Sequence, residues 1–289
     1  DYSDADALDE VTAKIRSLIE GGSFSEELTQ ALRSAYHDLG QDSYVAVRSS
    51  GTAEDLAEAS FAGQHDTYLD IQGTDMLCDT IRQCWASLWT ARATAYRHRG
   101  GFDQEKVSMA VVVQKMVASE VSGVMFTANP LTAATDEIVV NAAWGLGEGV
   151  VSGILTPDYF VLDRRRLQVK QRTLGAKEVE VVHDTARGAG TSIVPVSPER
   201  AARLSLVDEQ LIALAALGGK VTDYYGGLPQ DIGWGLVEGQ FHLLQSRDVT
   251  GVDFTWDDDL DRWNDLPKGP ETSWTRAWAV AIWTGRITP

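Results

Sequence analysis

The chain has 289 residues, 44% of them hydrophobic, and a net charge of -17. That size supports two core-forming subdomains, and that apolar fraction excludes a disordered chain. The acidity argues against a nucleic-acid binder, which needs clustered Lys and Arg, and no signal peptide or long apolar run points to export or a membrane.

Residues up to about Gly40 read as helical and acidic, with Val11, Ile15, Leu18, Leu28, Leu32 and Tyr36 as packing positions. Val45 and Val47 anchor a short strand that runs into a turn at Arg48-Ser49-Ser50. An acidic capped segment follows, then a loop of small residues from Ser60 to Gln64. Asp75 to Arg99 is the clearest helix, with Leu77, Ile81, Trp85, Leu88, Arg92 and Tyr96 at helical spacing and Trp85 and Trp89 on a shared core face. Cys78 and Cys84 match no zinc spacing and are poorly placed to bond within one helix. Both read as core thiols, which suits a reducing cytoplasm.

Strands are expected over Val107–Gln114, Val121–Thr127 and Glu137–Ala143, then a Gly-rich turn from Trp144 to Gly153. Two more lie near Tyr159–Leu162 and Leu167–Gln171. Ser197-Pro198 reads as an N-cap and first helical position, and Ser205 with Asp208 opens a helix carrying Leu211, Leu214, Val221 and Tyr225. Asp231–Val237, Glu238-Gly239 and Gln240–Gln245 form a hairpin pattern. After about Gly251 the composition turns to Asp, Trp and Pro, which reads as a linker into another domain. The chain starts at Asp1 and reads as part of a longer one. No GxGxxG follows a first strand, so the elements favour an α+β, two-lobed architecture over a dinucleotide fold.

Four segments carry chemistry. Arg48 offers a fixed fork of donors suited to phosphate, and the Ser60–Gln64 loop lets backbone lie close to it. In the last hairpin, Asp231 on one strand sits beside Gln245 and Arg247 on the other, which supplies a carboxylate, an amide oxygen and a phosphate-reaching cation. Trp144-Gly-Leu-Gly-Glu148-Gly149 permits close backbone approach, and Glu148 suits a metal or a ribose. Gln114-Lys115-Met116-Val117 ends a strand whose backbone can read an adenine edge, with Met116 on the ring. Each segment alone reads equally well as an ordinary surface turn, hairpin or strand end.

Together and in order, RSSGTAEDLAEASFAGQ, CWASLWTARATAYR, VVVQKMV, SGVMFTANP, WGLGEGVVSG and QDIGW…LLQSRD resemble the ATP-binding domain of the phosphoenolpyruvate synthase, pyruvate phosphate dikinase and rifampin phosphotransferase family. The resemblance covers roughly Tyr44 to Val249 and implies an ATP-grasp fold with ATP between two lobes. It implies nucleotide contacts from Arg48, Gly63, Gln64, Gln114, Met116, Val117, Glu148, Gln245 and Arg247, and Mg2+ held by Asp231 and Gln245. Arg48 and Arg247 would be the catalytic cations. Such enzymes pass the β-phosphate of ATP to a histidine on a swivelling domain, which implies a phosphohistidine domain in the same chain or a partner subunit and a small-molecule acceptor. None of His37, His65, His98, His183 and His242 lies in a phosphohistidine motif, and they read as structural or surface residues.

Three departures stand out. The family's Glu after Asp-Ile is Gly233, its N-terminal Lys-bearing segment is missing, and Asp248 replaces the Pro that usually follows Gln-x-Arg. The expected layout is an ATP-binding domain over 1–250 and the start of a central acceptor-binding domain over 251–289. The Trp-rich segment there looks most like the rifampin phosphotransferase arrangement, which implies an antibiotic or phenol hydroxyl as acceptor. A phosphoenolpyruvate synthase relative, or a degenerate nucleotide-binding subunit, are the alternatives.

Overall fold

The computed structural model describes residues 2, 4–40, 42–51, 55–56, 59–60, 67–104, 106–184, 186–249 and 252. The expected linker and Trp-rich segment therefore lie, apart from Val252, outside the described residues, as do Gly63, Gln64 and His65.

Two helices open the chain, α1 (Ala5–Glu20) and α2 (Glu26–Leu39), capped by the side chains of Asp4 and Ser25. Strand β1 (Val45–Gly51) follows, then the two-residue β2 (Asp55–Leu56) and β3 (Ala59–Ser60), then β4 (Thr67–Ile71), α3 (Thr74–Ser87), α4 (Ala91–Arg99) and β5 (Met109–Lys115). The next run is β6 (Val121–Phe126), β7 (Glu137–Trp144), α5 (Glu148–Val151), β8 (Asp158–Asp163) and β9 (Gln168–Thr173). The last elements are β10 (Val179–His183), β11 (Thr191–Pro195), α6 (Pro198–Ala201), α7 (Asp208–Tyr224), β12 (Gln230–Val237) and β13 (Gln240–Asp248).

The architecture is α+β, as expected. A three-stranded sheet, β4-β1-β5, packs Val45, Val47 and Ile71 against Tyr36 of α2 and Leu77, Ile81 and Cys84 of α3. A six-stranded sheet, β13-β12-β6-β7-β8-β9, buries Met125, Val140, Phe160, Leu162, Ile232 and Trp234 against Leu211, Leu214 and Ala215 of α7. All pairings within both sheets are antiparallel. Burying a side chain as large as Trp234 contributes about 1.5–3 kcal/mol, and its ring meets Phe241 edge-on at 5.6 Å. A separate ribbon, β10–β11, lies alongside through a bridge from Gly145 to Val181. Among the described residues no helix is long and apolar enough to cross a membrane.

Several expectations need correction. Arg48-Ser49-Ser50 is not a turn: it continues β1, pairing residue by residue with Val112, Val111 and Ala110 of β5. The Asp75–Arg99 helix is two helices. The chain tightens at Leu88 and Trp89, and Thr90 then caps α4 through the Ala93 N–H at 3.2 Å. Trp85 and Trp89 therefore share no helix face; Trp85 packs on Phe24, and Trp89 lies under the buried Arg97 guanidinium. Val11 and Leu18 are exposed, because α1 turns its Leu8–Thr12–Ile15–Ile19 stripe inward instead, and Leu28 on α2 is exposed too. The Gly-rich turn contains α5, and α7 starts at Asp208, with the Gln210 side chain accepting from the Val207 N–H. Ser205 does not cap that helix; its N–H and hydroxyl both donate to Asp158. Cys78 and Cys84 are buried and form no disulfide with each other, and burial pushes the Cys78 thiol above its usual range.

Candidate functional site

The site is built where the edge strand of each sheet meets the other. In β1, Val45 and Val47 are buried while Arg48 is not. Strand alternation therefore presents its guanidinium on the face away from the core. Gln114 pairs with Ala46 across β1–β5, diagonal to Arg48 on the same face. The Arg48 Nη1 donates to Gln114 Oε1 at 3.3 Å, and its Nη2 donates to Gln245 Oε1 on β13. Gln114 Nε2 completes the crossing by donating to the Leu244 carbonyl at 2.9 Å. Three expected residues, far apart in sequence, thus form one polar bridge between the sheets.

The β12–β13 hairpin sets the rest. Its turn is Glu238-Gly239, both at positive φ (48° and 75°), as a two-residue turn between twisted strands requires. The register opposes Asp231 to Arg247 and Gly233 to Gln245, so these four positions share one face. Arg247 donates to Asp231 Oδ2 from Nε and approaches it from Nη2, each at 2.8 Å. A side-chain position at 233 is spacious: a Cβ there would meet nothing nearer than the Gln245 Cβ at 3.9 Å.

The expected metal ligands are one carboxylate, Asp231, and one amide, Gln245, and each already faces a guanidinium. Among the described residues no group of three or more His, Cys, Asp or Glu converges. A donor set so poor in anions fits Mg2+ only when phosphate oxygens complete the shell, which is how that ion is commonly held.

At the end of β5 the Met116 N–H donates to Tyr44 O at 2.8 Å, and the Val117 carbonyl accepts from Ser119 N at 2.8 Å. The Met116 carbonyl and the Val117 N–H make no hydrogen bond among the described residues, so this pair is the part of the segment able to read a base edge. Glu148 shares no hydrogen bond with the bridge. Its Oε2 accepts from Thr191 Oγ1 of β11 at 2.7 Å. Gly145, three residues earlier, is required: a Cβ there would lie 2.4 Å from the Val181 carbonyl oxygen, and its φ is +79°.

Sequence reasoning missed one group. Asp70 is buried at the end of β4, and His183 Nδ1 of β10 contacts its Oδ2. Asp70 Oδ1 and His183 Nε2 are buried with no partner among the described residues. Burial pushes the Asp70 carboxyl above its usual range; His183 opposes that shift and the nearby Glu148 adds to it. Nothing in the sequence spacing links residues 70 and 183, and only the fold joins them. Of the other histidines, His37 and His242 are exposed, and His98 stacks on Tyr2 with ring centroids 3.7 Å apart.

Residues 1–259 match the family model described as pyruvate phosphate dikinase, AMP/ATP-binding domain. Over 261 residues the chain is 48% identical to the phosphoenolpyruvate synthase of Pyrococcus furiosus, a match covering 86% of this chain and 32% of that protein. It is 44% identical over 255 residues to the probable phosphoenolpyruvate synthase of Methanocaldococcus jannaschii, covering 86% and 21%. It is 43% identical over 247 residues to the rifampicin phosphotransferase of Streptomyces sviceus, covering 86% and 28%. The chain thus spans about a third or less of the length of these relatives.

Proposed function

The chain belongs to the pyruvate phosphate dikinase AMP/ATP-binding domain family, and from that premise we propose that it is the nucleotide-binding part of a dikinase-type phosphotransferase. The observation that carries this reading is the Arg48–Gln114–Gln245 bridge, which sets a cationic fork at the junction of the two sheets. In this reading Arg48 and Arg247 receive the polyphosphate, and positive charge held in place is what phosphoryl transfer chiefly needs from a protein. The Met116 carbonyl and Val117 N–H take the adenine edge, Gln114 holds the Arg48 fork, and Glu148 accepts from the ribose hydroxyls. Gly63 and Gln64 belong to the loop over the phosphates. Asp231 and Gln245 would hold a Mg2+, which would supply charge neutralisation on the polyphosphate when bound.

The reaction this implies consumes ATP, water and an imidazole on a phosphohistidine domain and yields AMP, inorganic phosphate and phosphoimidazole. The β-phosphoryl group then passes to a small organic hydroxyl. An antibiotic or phenol is one acceptor class; pyruvate is the other, and 48% identity to a phosphoenolpyruvate synthase supports it as well as 43% identity to a rifampicin phosphotransferase supports the first.

The test is nucleotide turnover by the complete protein with Mg-ATP, reading AMP against ADP. AMP and phosphate, lost by about 100-fold or more in Arg48→Ala, are expected. ADP as product would sink the dikinase reading. ATP bound without turnover would instead identify a degenerate nucleotide-binding domain.

A further inference from the structure

The β10–β11 ribbon belongs to neither sheet, yet it touches both halves of the molecule. Its base lies on the six-stranded side through the Gly145–Val181 bridge and the Leu146 N–H to Val181 O bond at 2.8 Å. Its tip reaches β4 of the three-stranded sheet twice: His183 contacts the Asp70 carboxylate, and the Gly190 N–H donates to the Asp70 carbonyl at 3.1 Å. At the tip, Thr191 pairs with His183 across the ribbon and donates to Glu148.

Asp70 is an expensive residue. It is fully buried, its φ is +56°, and one carboxylate oxygen lacks a partner among the described residues. Left-handed backbone and an unsatisfied buried acceptor each cost the fold. A residue that costs the fold in two ways calls for a role other than stability. Its surroundings supply one. The groups facing the pair are Glu148 from α5 and Tyr44 ahead of β1, whose ring centroid lies 5.7 Å from that of His183. Next to His183 on the ribbon, Asp184 is held by the N–H groups of Ala186 and Arg187 and by the Arg187 guanidinium at 3.6 Å, so its charge is already answered.

We propose that the β10–β11 ribbon is the positioning element for Glu148: Thr191 orients the carboxylate, and the Asp70–His183 pair fixes Thr191 by clamping the ribbon tip to β4. This rests on the reading of Glu148 as the ribose-binding carboxylate.

The experiment measures KM for ATP and kcat of the complete protein with Mg-ATP. Thr191→Val raises KM about 10-fold, the worth of one charge-assisted hydrogen bond, with a far smaller change in kcat. Thr191→Ser restores the wild-type KM. In a Glu148→Gln background, Thr191→Val adds nothing further. His183→Gln raises KM as well and adds nothing further to Thr191→Val. If Thr191→Val does not fold, Thr191→Ala, with Ser as its rescue, reads the same bond. A wild-type KM in Thr191→Val beside a raised KM in Glu148→Gln overturns the ribbon's role and leaves the ribose reading standing. A wild-type KM in Glu148→Gln overturns both. A wild-type KM in His183→Gln overturns the clamp.

Discussion

Two hairpins reach the three-stranded sheet from the other side of the molecule, and they are held by opposite chemistry. The β12–β13 hairpin meets it through polar groups, Gln245 toward Arg48 and the Leu244 carbonyl toward Gln114, while its exposed Arg247 pairs with its own Asp231. The β10–β11 hairpin meets it through the buried Asp70. Its root is buried too: Lys177 Nζ contacts Asp158 Oδ1 with both side chains 0% exposed, and Asp158 also accepts from Gly175 N and from Ser205 N and Oγ. The first arrangement leaves its groups available to a ligand. The second buries its groups in holding place. One hairpin is therefore suited to contact the nucleotide, and the other to position what does.

The largest expected effect follows from breaking the buried root. Lys177→Met strands the Asp158 carboxylate without its cation, and removing one partner of a buried pair costs about 3–5 kcal/mol. Arg247→Met, which breaks the half-exposed pair at the other hairpin, should cost less than about 1 kcal/mol. Urea unfolding midpoints of the two variants decide this. Equal losses would mean that burial does not separate the hairpins.

The next largest effect sits at the bridge. Gln114→Leu removes the acceptor for Arg48 and the donor to Leu244 at once. Hydrogen bonds to charged groups are worth about 1.5–3 kcal/mol, so KM for ATP should rise about 10- to 100-fold. The thermal midpoint should move little, since both partners can turn to water. A wild-type KM would show that Arg48 needs no such support.

A third comparison is one of sign. Asp70 has its carboxyl raised above 3.8, first by burial, so its favourable contribution is complete below pH 3.8 and is lost as pH rises through its folded value. Glu137 is lowered from 4.5, first by the Lys170 hydrogen bond, so its contribution is present above pH 4.5 and is lost as pH falls through its folded value. Stability curves against pH should therefore change in opposite directions. Asp70→Asn removes a loss on the alkaline side of its window, and Glu137→Gln removes a loss on the acid side. Denaturation midpoints from pH 3 to pH 7 report both, and slopes of the same sign would refute the assignment of causes.

The same contrast explains what was legible in the sequence. The β12–β13 hairpin is local: Glu238-Gly239 demands its turn, and the two-residue period then puts Asp231, Gln245 and Arg247 on one face. The clustering of Arg48 and Gln114 with Gln245 followed from the ordered motifs, because the resemblance carries a fold that spacing alone does not. The β10–β11 ribbon left no such mark. Its strands are short, neither extends a main sheet, and Asp70 and His183 are 113 positions apart. The break before Thr90 was hidden because a cap residue inside a helical period reads as one more polar position.

The smallest change to the fold, and the sharpest to the chemistry, is expected at Gly233. The hairpin face offers one carboxylate, and the position opposite Gln245 carries no side chain. A Cβ at 233 would meet the Gln245 Cβ at 3.9 Å, an ordinary contact, and the backbone there is not in the left-handed region. Gly233→Glu should therefore change stability by about 0.5 kcal/mol or less, as surface substitutions do. Its carboxylate would add a second anionic oxygen donor beside Asp231, and hard cations respond strongly to ligand charge. The Mg2+ concentration for half-maximal ATP turnover should fall several-fold, while the concentration dependence on ATP at saturating Mg2+ should hardly move. If turnover appears only in the variant, the natural domain binds nucleotide without transferring phosphate. If neither the Mg2+ requirement nor turnover changes, the metal does not sit on this face of the hairpin, and Asp231 serves only to hold Arg247.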